Sequence, residues 1–241
     1  MLAVGLLVLM HDKVQAINDW QNALGPQVQL HAFYPKSHVP AHAGVMQALD
    51  LKQALQMDVF IVTGAPIDRL DFKDVWYYAE VAQLIDALQS AAIPQLYSCW
   101  GAMAALHHEF GIAKHLLPQK LFGVYPQHQR LASPLLNGLP EHFLAPHARF
   151  ADISIEAIDR ELDLIATTTN GHPFLATAGQ QTFLFAHLEY QRFGLWQEAQ
   201  RSHSDLAFND DPLHHWAWEN TRQVFFDNWQ QSVKQQLKLA Q

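Results

Sequence analysis

The chain predicts an α/β fold with a mostly parallel sheet flanked by helices, and three observations carry that prediction. Leu2 to Met10 is a continuous apolar run of the kind found in a central parallel strand. From there to Leu106, short apolar stretches alternate with stretches whose apolar residues recur at helical spacing. Cys99, the only cysteine among 241 residues, stands where one such strand gives way to an Ala-rich helix. One domain over residues 1–241 is expected, because this length suffices for a single α/β domain with a full core.

Each element has its own reason. Met1 to Met10 lacks a basic leader segment and a small-residue cleavage site and is too short to span a bilayer, so it reads as a buried strand. Lys13 to Leu24 carries Val14, Ile17, Trp20 and Leu24 on one helical face and stops at Gly25-Pro26. Val28 to Tyr34 alternates as a second strand, Val45 to Leu55 has helical spacing, and Asp58 to Thr63 is a strand closing on Gly64-Ala65-Pro66. Asp71 to Gln89 reads as one long amphipathic helix leading to the strand before Cys99. After the cysteine helix, Pro118 to Tyr125 is a loop entering a strand, and Leu135 to Asp152, with Gly138, Pro140 and Pro146, suggests loops and edge strands. Leu162 to Thr168 and Pro173 to Ala178 form a meander about a turn at Asn170-Gly171. Thr182 to Ala186 is the last strand, followed by His187-Leu188-Glu189-Tyr190; from Trp196 the chain is helical, apart from a polar turn at Asn209-Asp210-Asp211-Pro212.

Composition excludes several classes. Apolar residues make up 49% and charged residues 16% of the chain, a globular balance without the charge excess of disorder. The net charge of −8 argues against nucleic acid and anionic membranes as partners. A lone cysteine closes no internal disulfide, which points to a reducing, cytoplasmic compartment. The 15 histidines include the adjacent pairs His107-His108 and His214-His215, which point to different helical faces, and no HExxH or CxxC spacing occurs, so no metal is expected.

Two readings fit Cys99. A cysteine at a strand-to-helix turn meets unpaired backbone N–H groups and the positive end of the helix dipole, which favour thiolate and make it a candidate nucleophile. The other reading is a small buried hydrophobe. Gly101 suits a tight elbow, where a side chain would crowd the backbone. A cysteine nucleophile needs a base and the base an orienting acid. His187-Leu188-Glu189, at a strand end, puts imidazole and carboxylate on one face, and with Cys99 completes a Cys-His-Glu set. The oxyanion formed on attack needs two backbone donors, and the N–H groups of Trp100 and of Ala65 in the Gly64-Ala65 turn are the candidates.

Val62-Thr63-Gly64-Ala65-Pro66, Cys99-Trp100-Gly101-Ala102, Lys120-Leu121-Phe122-Gly123-Val124, Ala145-Pro146-His147-Ala148-Arg149, His187-Leu188-Glu189-Tyr190, Asn209-Asp210-Asp211-Pro212 and Phe226-Asp227-Asn228-Trp229 occur in this order. Their order and spacing, from about Leu7 to near the C-terminus, resemble the homoserine O-acyltransferase (transsuccinylase) family. The resemblance implies a class I glutamine amidotransferase-like, flavodoxin-like fold. It implies acyl transfer from acetyl-CoA or succinyl-CoA, as co-substrate rather than cofactor, through a cysteine thioester to an amino-acid hydroxyl, for methionine or cysteine biosynthesis. By position it makes Cys99 the nucleophile, His187 the proton acceptor and Glu189 its partner. Lys120 and Arg201 fall on the substrate-binding positions; a guanidinium there clamps a carboxylate bidentately, whereas without the resemblance both are solvated charges. A homodimer is the family expectation, as is a segment of a few dozen residues ahead of the region that begins here.

Three positions sharpen the expectation. Ala148 replaces the serine that homoserine-using members carry before the arginine, so a hydrogen bond to the acceptor is lost and L-serine stands beside L-homoserine as acceptor. Asp68 falls where an acidic residue goes with acetyl and a small one with succinyl, and a carboxylate there repels a succinyl carboxylate. Leu188 replaces a proline or serine between the histidine and the glutamate, with its side chain away from the reacting face. Against a glutamine amidotransferase-like hydrolase of the same fold stands Tyr97, where the usual Gly-x-Cys-x-Gly elbow has glycine. A non-catalytic binding module is the remaining alternative.

Overall fold

The structure is a computed structural model describing residues 1–41, 43–201 and 216–239. The Asn209-Asp210-Asp211-Pro212 turn and His214-His215 lie outside the described residues. Uncharged apolar residues make strand β1 (Leu2–Leu7), which is buried on both faces. Asp12 then caps helix α1 (Lys13–Leu24), its carboxylate accepting the Gln15 N–H at 2.9 Å, and Gly25 ends it with φ 76°. The chain continues through β2 (Val28–Tyr34), β3 (Gln47–Ala48), α2 (Leu51–Ala54), β4 (Val59–Val62), α3 (Tyr78–Ser90), β5 (Gln95–Ser98) and α4 (Trp100–Phe110). Two long strands, β6 (Lys114–Gln129) and β7 (His142–Ile153), precede α5 (Ile155–Glu161). The remaining elements are β8 (Asp163–Thr168), β9 (Pro173–Ala178), β10 (Gln181–Leu184), α6 (Gly194–Arg201) and α7 (Glu219–Leu239).

All ten strands join one sheet in the order β3-β2-β1-β4-β5-β10-β9-β8-β6-β7. Pairing is parallel from β3 to β10 and antiparallel from β10 to β7. Strand order reverses about β1, with β2 on one side and β4 on the other, and the carboxyl ends there open the crevice in which such sheets bind ligands. The core lies on both faces. In β4, Val59 and Ile61 point into the layer holding Trp20, Phe225, Phe226 and Trp229 of α1 and α7, whereas Phe60 and Val62 join Val81, Leu84 and Ile85 of α3. Among the described residues no helix is long and apolar enough to cross a membrane.

Four local expectations are corrected. The helical spacing over Val45 to Leu55 resolves into β3 and a single turn, because Asp50 caps the Gln53 N–H at 3.1 Å and starts the helix late. The long helix from Asp71 is a 3₁₀ turn at Phe72–Asp74 followed by α3; Val75 is extended between them, which buries Tyr77 and turns Trp76 outward. The edge strand expected within Leu135 to Asp152 is present as β7, but it is long and forms a ribbon with β6 in place of short strands and loops. Its prolines are accommodated because β7 is an edge strand and because the β6–β7 register slips between Leu116 and Leu121, where Pro118 falls. Finally, His187 and Glu189 lie beyond β10, in a turn closed by Tyr190 N–H to His187 carbonyl at 3.1 Å, and do not continue the strand.

Candidate active site

Cys99 is the hinge between β5 and α4, with φ 49° and ψ −110°, a strained conformation for a residue with a side chain, costing about 1–3 kcal/mol. Neighbours hold it there. Its N–H donates to the Leu184 carbonyl of β10 at 2.8 Å, and its carbonyl accepts from Met103 at 3.1 Å. A Cβ on Gly101 would come within 2.7 Å of the Val62 carbonyl oxygen and 2.8 Å of that of Thr63, so only glycine lets α4 start against the end of β4. Gly64 leaves room from the other side, where a Cβ would stand a tight 3.2 Å from Cys99 Cβ and in ordinary contact at 3.5 Å with His187 Cε1. Trp100 occupies the first position of α4, where an N–H has no intrahelical acceptor, and Ala65 lines the same cavity as Cys99.

The turn after β10 supplies the partner groups. His187 Nδ1 lies 2.7 Å from Glu189 Oε1, both side chains are buried, and the imidazole is hydrogen-bonded to Cys99. Tyr190 stacks on the imidazole at 4.5 Å and 14°, while the Pro146 carbonyl holds the His187 N–H at 2.9 Å. Burial opposes a charge on His187, but the Glu189 carboxylate and the hydrogen-bonded sulfur outweigh it and hold its pKa well above the ordinary value. Leu188 points into the core, as its position between the two polar residues implies.

These groups open onto a cavity of about 670 Å³ at the strand-order reversal, walled by the start of α1, the loop after β4, β6, β7 and α6. Lys120, Ala148, Arg201 and Asp68 all line it, so every residue singled out from the sequence on chemical grounds, apart from Trp100, faces one space. Lys120 and Arg201 are joined by a residue the sequence did not single out. Glu198 accepts Lys120 Nζ at 2.7 Å on one oxygen and Arg201 Nη2 at 3.2 Å on the other. Its pKa is lowered because those cations and the Lys120 hydrogen bond overcome the burial that would raise it. The available signal was Glu198 standing three residues before Arg201 on an expected helix, a spacing that places both on one face.

Asp68 also braces the architecture. Its Oδ2 accepts the N–H groups of Phe150 and Ala151, so the carboxylate is pinned against β7. Ala148 faces the cavity, and its strand neighbours His147 and Arg149 face the interior, where Arg149 is bound to Asp152 and to the carbonyls of Phe185 and Pro173. Asp19, which also lines the cavity, accepts hydrogen bonds from Gln15 and Gln191, each at 2.8 Å. Burial raises its pKa to about 6, against those two hydrogen bonds. Among the described residues no group of three or more His, Cys, Asp or Glu side chains is arranged to hold a metal ion.

Residues 1–238 match the family model described as homoserine O-succinyltransferase. The chain is 40% identical to a serine O-acetyltransferase of Lacticaseibacillus casei, with 96% of this chain and 95% of that protein covered. It is 37% identical to a serine O-acetyltransferase of Lactobacillus acidophilus at the same coverage, and 30% identical to a homoserine O-acetyltransferase of Thermotoga petrophila, covering 95% of this chain and 83% of that one. In fold it resembles a glutamine amidotransferase from Thermotoga maritima, with a TM-score of 0.72 over 98% of both chains at 13% identity. A class I glutamine amidotransferase-like fold and a sequence match running almost end to end therefore agree: the chain belongs to the homoserine O-succinyltransferase family, whose relatives here are named homoserine and serine O-acetyltransferases.

Proposed function

We propose that the chain is a serine O-acetyltransferase that moves an acetyl group from acetyl-CoA to the L-serine hydroxyl through a Cys99 thioester. The observation that carries this is the contact chain from Cys99 through His187 to Glu189 at one wall of a cavity whose other wall presents Glu198, Lys120 and Arg201. Cys99 Sγ attacks the thioester carbonyl as its proton passes to His187, and the oxyanion is met by the N–H groups of Trp100 and Ala65. Collapse breaks the C–S bond to CoA, and the leaving sulfur takes the proton from His187. Acylation then takes the cysteine sulfur's support away from His187 and leaves burial opposed by Glu189 alone, so the imidazole becomes a better base. It removes the serine Oγ proton, Oγ attacks the acetyl carbon, and O-acetylserine departs as the proton returns to Cys99.

The amino-acid end has matching chemistry. Arg201 and Lys120 suit the carboxylate, and Glu198 between them suits the ammonium. Ala148 offers no hydroxyl to a longer acceptor, and both serine O-acetyltransferase relatives cover nearly all of this chain, which favours serine over homoserine. The pinned carboxylate of Asp68 favours acetyl over succinyl, since a second carboxylate there meets like charge.

A thiol-release assay pairing acetyl-CoA or succinyl-CoA with L-serine or L-homoserine tests the proposal. Acetyl-CoA with L-serine is expected to give the highest kcat/KM, and Cys99→Ala to abolish it. Higher turnover with homoserine overturns the acceptor assignment, and full activity in Cys99→Ala overturns the mechanism.

A further inference from the structure

The cavity mouth carries a cation that the chemistry above does not use. Arg69 lines the cavity on the loop after β4, and its guanidinium carbon lies 3.7 Å from the centroid of the Phe150 ring on β7. That loop is fixed from both sides: Asp68 Oδ2 accepts the Phe150 and Ala151 N–H groups, and the Asp68 carbonyl accepts Lys114 Nζ at 2.6 Å. Arg69 is thus laid on an aromatic face by a braced backbone, and the residue is exposed.

Its charge is also uncommitted. Lys120 and Arg201, the other lysine and arginine lining the cavity, share Glu198, whereas among the described residues Arg69 has no carboxylate within ion-pair distance. The chain carries a net charge of −8, and Asp12, Asp19, Asp68, Glu189 and Glu198 all line the same space. A polyanionic donor entering such a site needs a local cation. Acyl-CoA is such a donor, with a diphosphate and a 3′-phosphate beyond the pantetheine arm.

We infer that Arg69, seated on Phe150, is a phosphate subsite for the nucleotide end of CoA. The inference rests on the acyl-CoA reading above. Lys120 Nζ also stands 5.4 Å from the Phe150 centroid, and with Arg201 it is the pair assigned above to the amino-acid carboxylate, which leaves Arg69 as the cavity cation for phosphate. A guanidinium suits phosphate because its planar donor fork holds two oxygens at once.

Binding and turnover are measured together on the full chain. CoA, dephospho-CoA and pantetheine are titrated calorimetrically into the wild type and into Arg69→Met, which keeps an apolar arm over the ring. Loss of one charge-assisted phosphate contact is expected to weaken CoA binding about 10- to 100-fold. Pantetheine is expected to bind both proteins alike. Dephospho-CoA separates the two sources: a full loss with it assigns the diphosphate, and no loss assigns the 3′-phosphate. In steady state the same variant raises KM for acetyl-CoA, leaves KM for L-serine in place, and makes the acetyl-CoA KM less sensitive to salt. Equal CoA affinity in both proteins overturns the subsite, as does a matching loss with pantetheine or a rise confined to the KM for serine. Should CoA binding fall as expected while no acetyl group moves in the wild type, the subsite stands and the transferase reading fails.

Discussion

At the scale of single residues, the decisive balance is on His187. Burial pushes its pKa down, and the Glu189 carboxylate with the hydrogen-bonded Cys99 pushes it up by more. Glu189→Gln removes one of those supports and also alters which ring nitrogen holds the proton. The expected result is a His187 titration, followed by the imidazole NMR signals, displaced to lower pH, and a kcat reduced by about 10²- to 10⁴-fold, the scale of losing an orienting acid. An unchanged imidazole titration removes Glu189 from the site's electrostatics. Cys99 was legible from the sequence because it is the only cysteine and sits before Gly101, whose missing Cβ is required by the Val62 and Thr63 carbonyls. Glu198 was not, because its partner Lys120 lies 78 residues away and their meeting depends on how α6 crosses β6 and β7.

Among elements, the β6–β7 ribbon places Lys120, Ala148 and Phe150 along the cavity, and one buried arginine ties it to the sheet. Arg149 donates to Asp152 at 3.0 and 3.1 Å, to the Phe185 carbonyl at 3.0 Å and to the Pro173 carbonyl at 3.1 Å, so it binds β7 to the ends of β9 and β10. Burial would raise the Asp152 pKa, yet Arg149 and His172 hold it below the ordinary carboxylate value. Arg149→Met takes the guanidinium from two carbonyls and from that carboxylate, which keeps only its His172 and backbone partners, and is expected to cost about 3–5 kcal/mol in urea unfolding. Arg149→Met combined with Asp152→Leu is expected to recover part of the loss, and a single variant as stable as the wild type contradicts this role. Four of the first five parallel strands, β1, β2, β4 and β5, were readable from apolar runs and turn residues, whereas the two-residue β3 was hidden in a stretch of helical spacing. The ribbon was not readable, because prolines at 118 and 146 read as breakers until a register slip and an edge position make room for them.

At the scale of the whole molecule, Asp19 joins parts of the chain that are far apart in sequence. On α1, it accepts from Gln191, 172 residues away, and it feels both Glu189 and the Arg222 guanidinium of α7. Burial raises its pKa from 3.8 to about 6, with the Gln191 and Gln15 hydrogen bonds and Arg222 pulling the other way. The folded chain therefore holds this proton up to about pH 6, whereas the unfolded chain releases it near 3.8, so the folded state binds more protons across that window. Stability from this group falls as pH rises from about 4 to 6, and above pH 6 the cost is on the order of 3 kcal/mol. Asp19→Asn keeps an oxygen to accept both glutamine donors and carries no charge. It is expected to be more stable than the wild type at pH 8, by about 1–3 kcal/mol in urea unfolding, with the gap narrowing by roughly half at pH 5. A gap that does not change with pH contradicts the raised pKa, and a variant less stable at pH 8 shows that Arg222 needs the aspartate as a carboxylate. In that case the ionised Asp19 beside the His187–Tyr190 turn is a stabilising partner, and its burial carries no net cost.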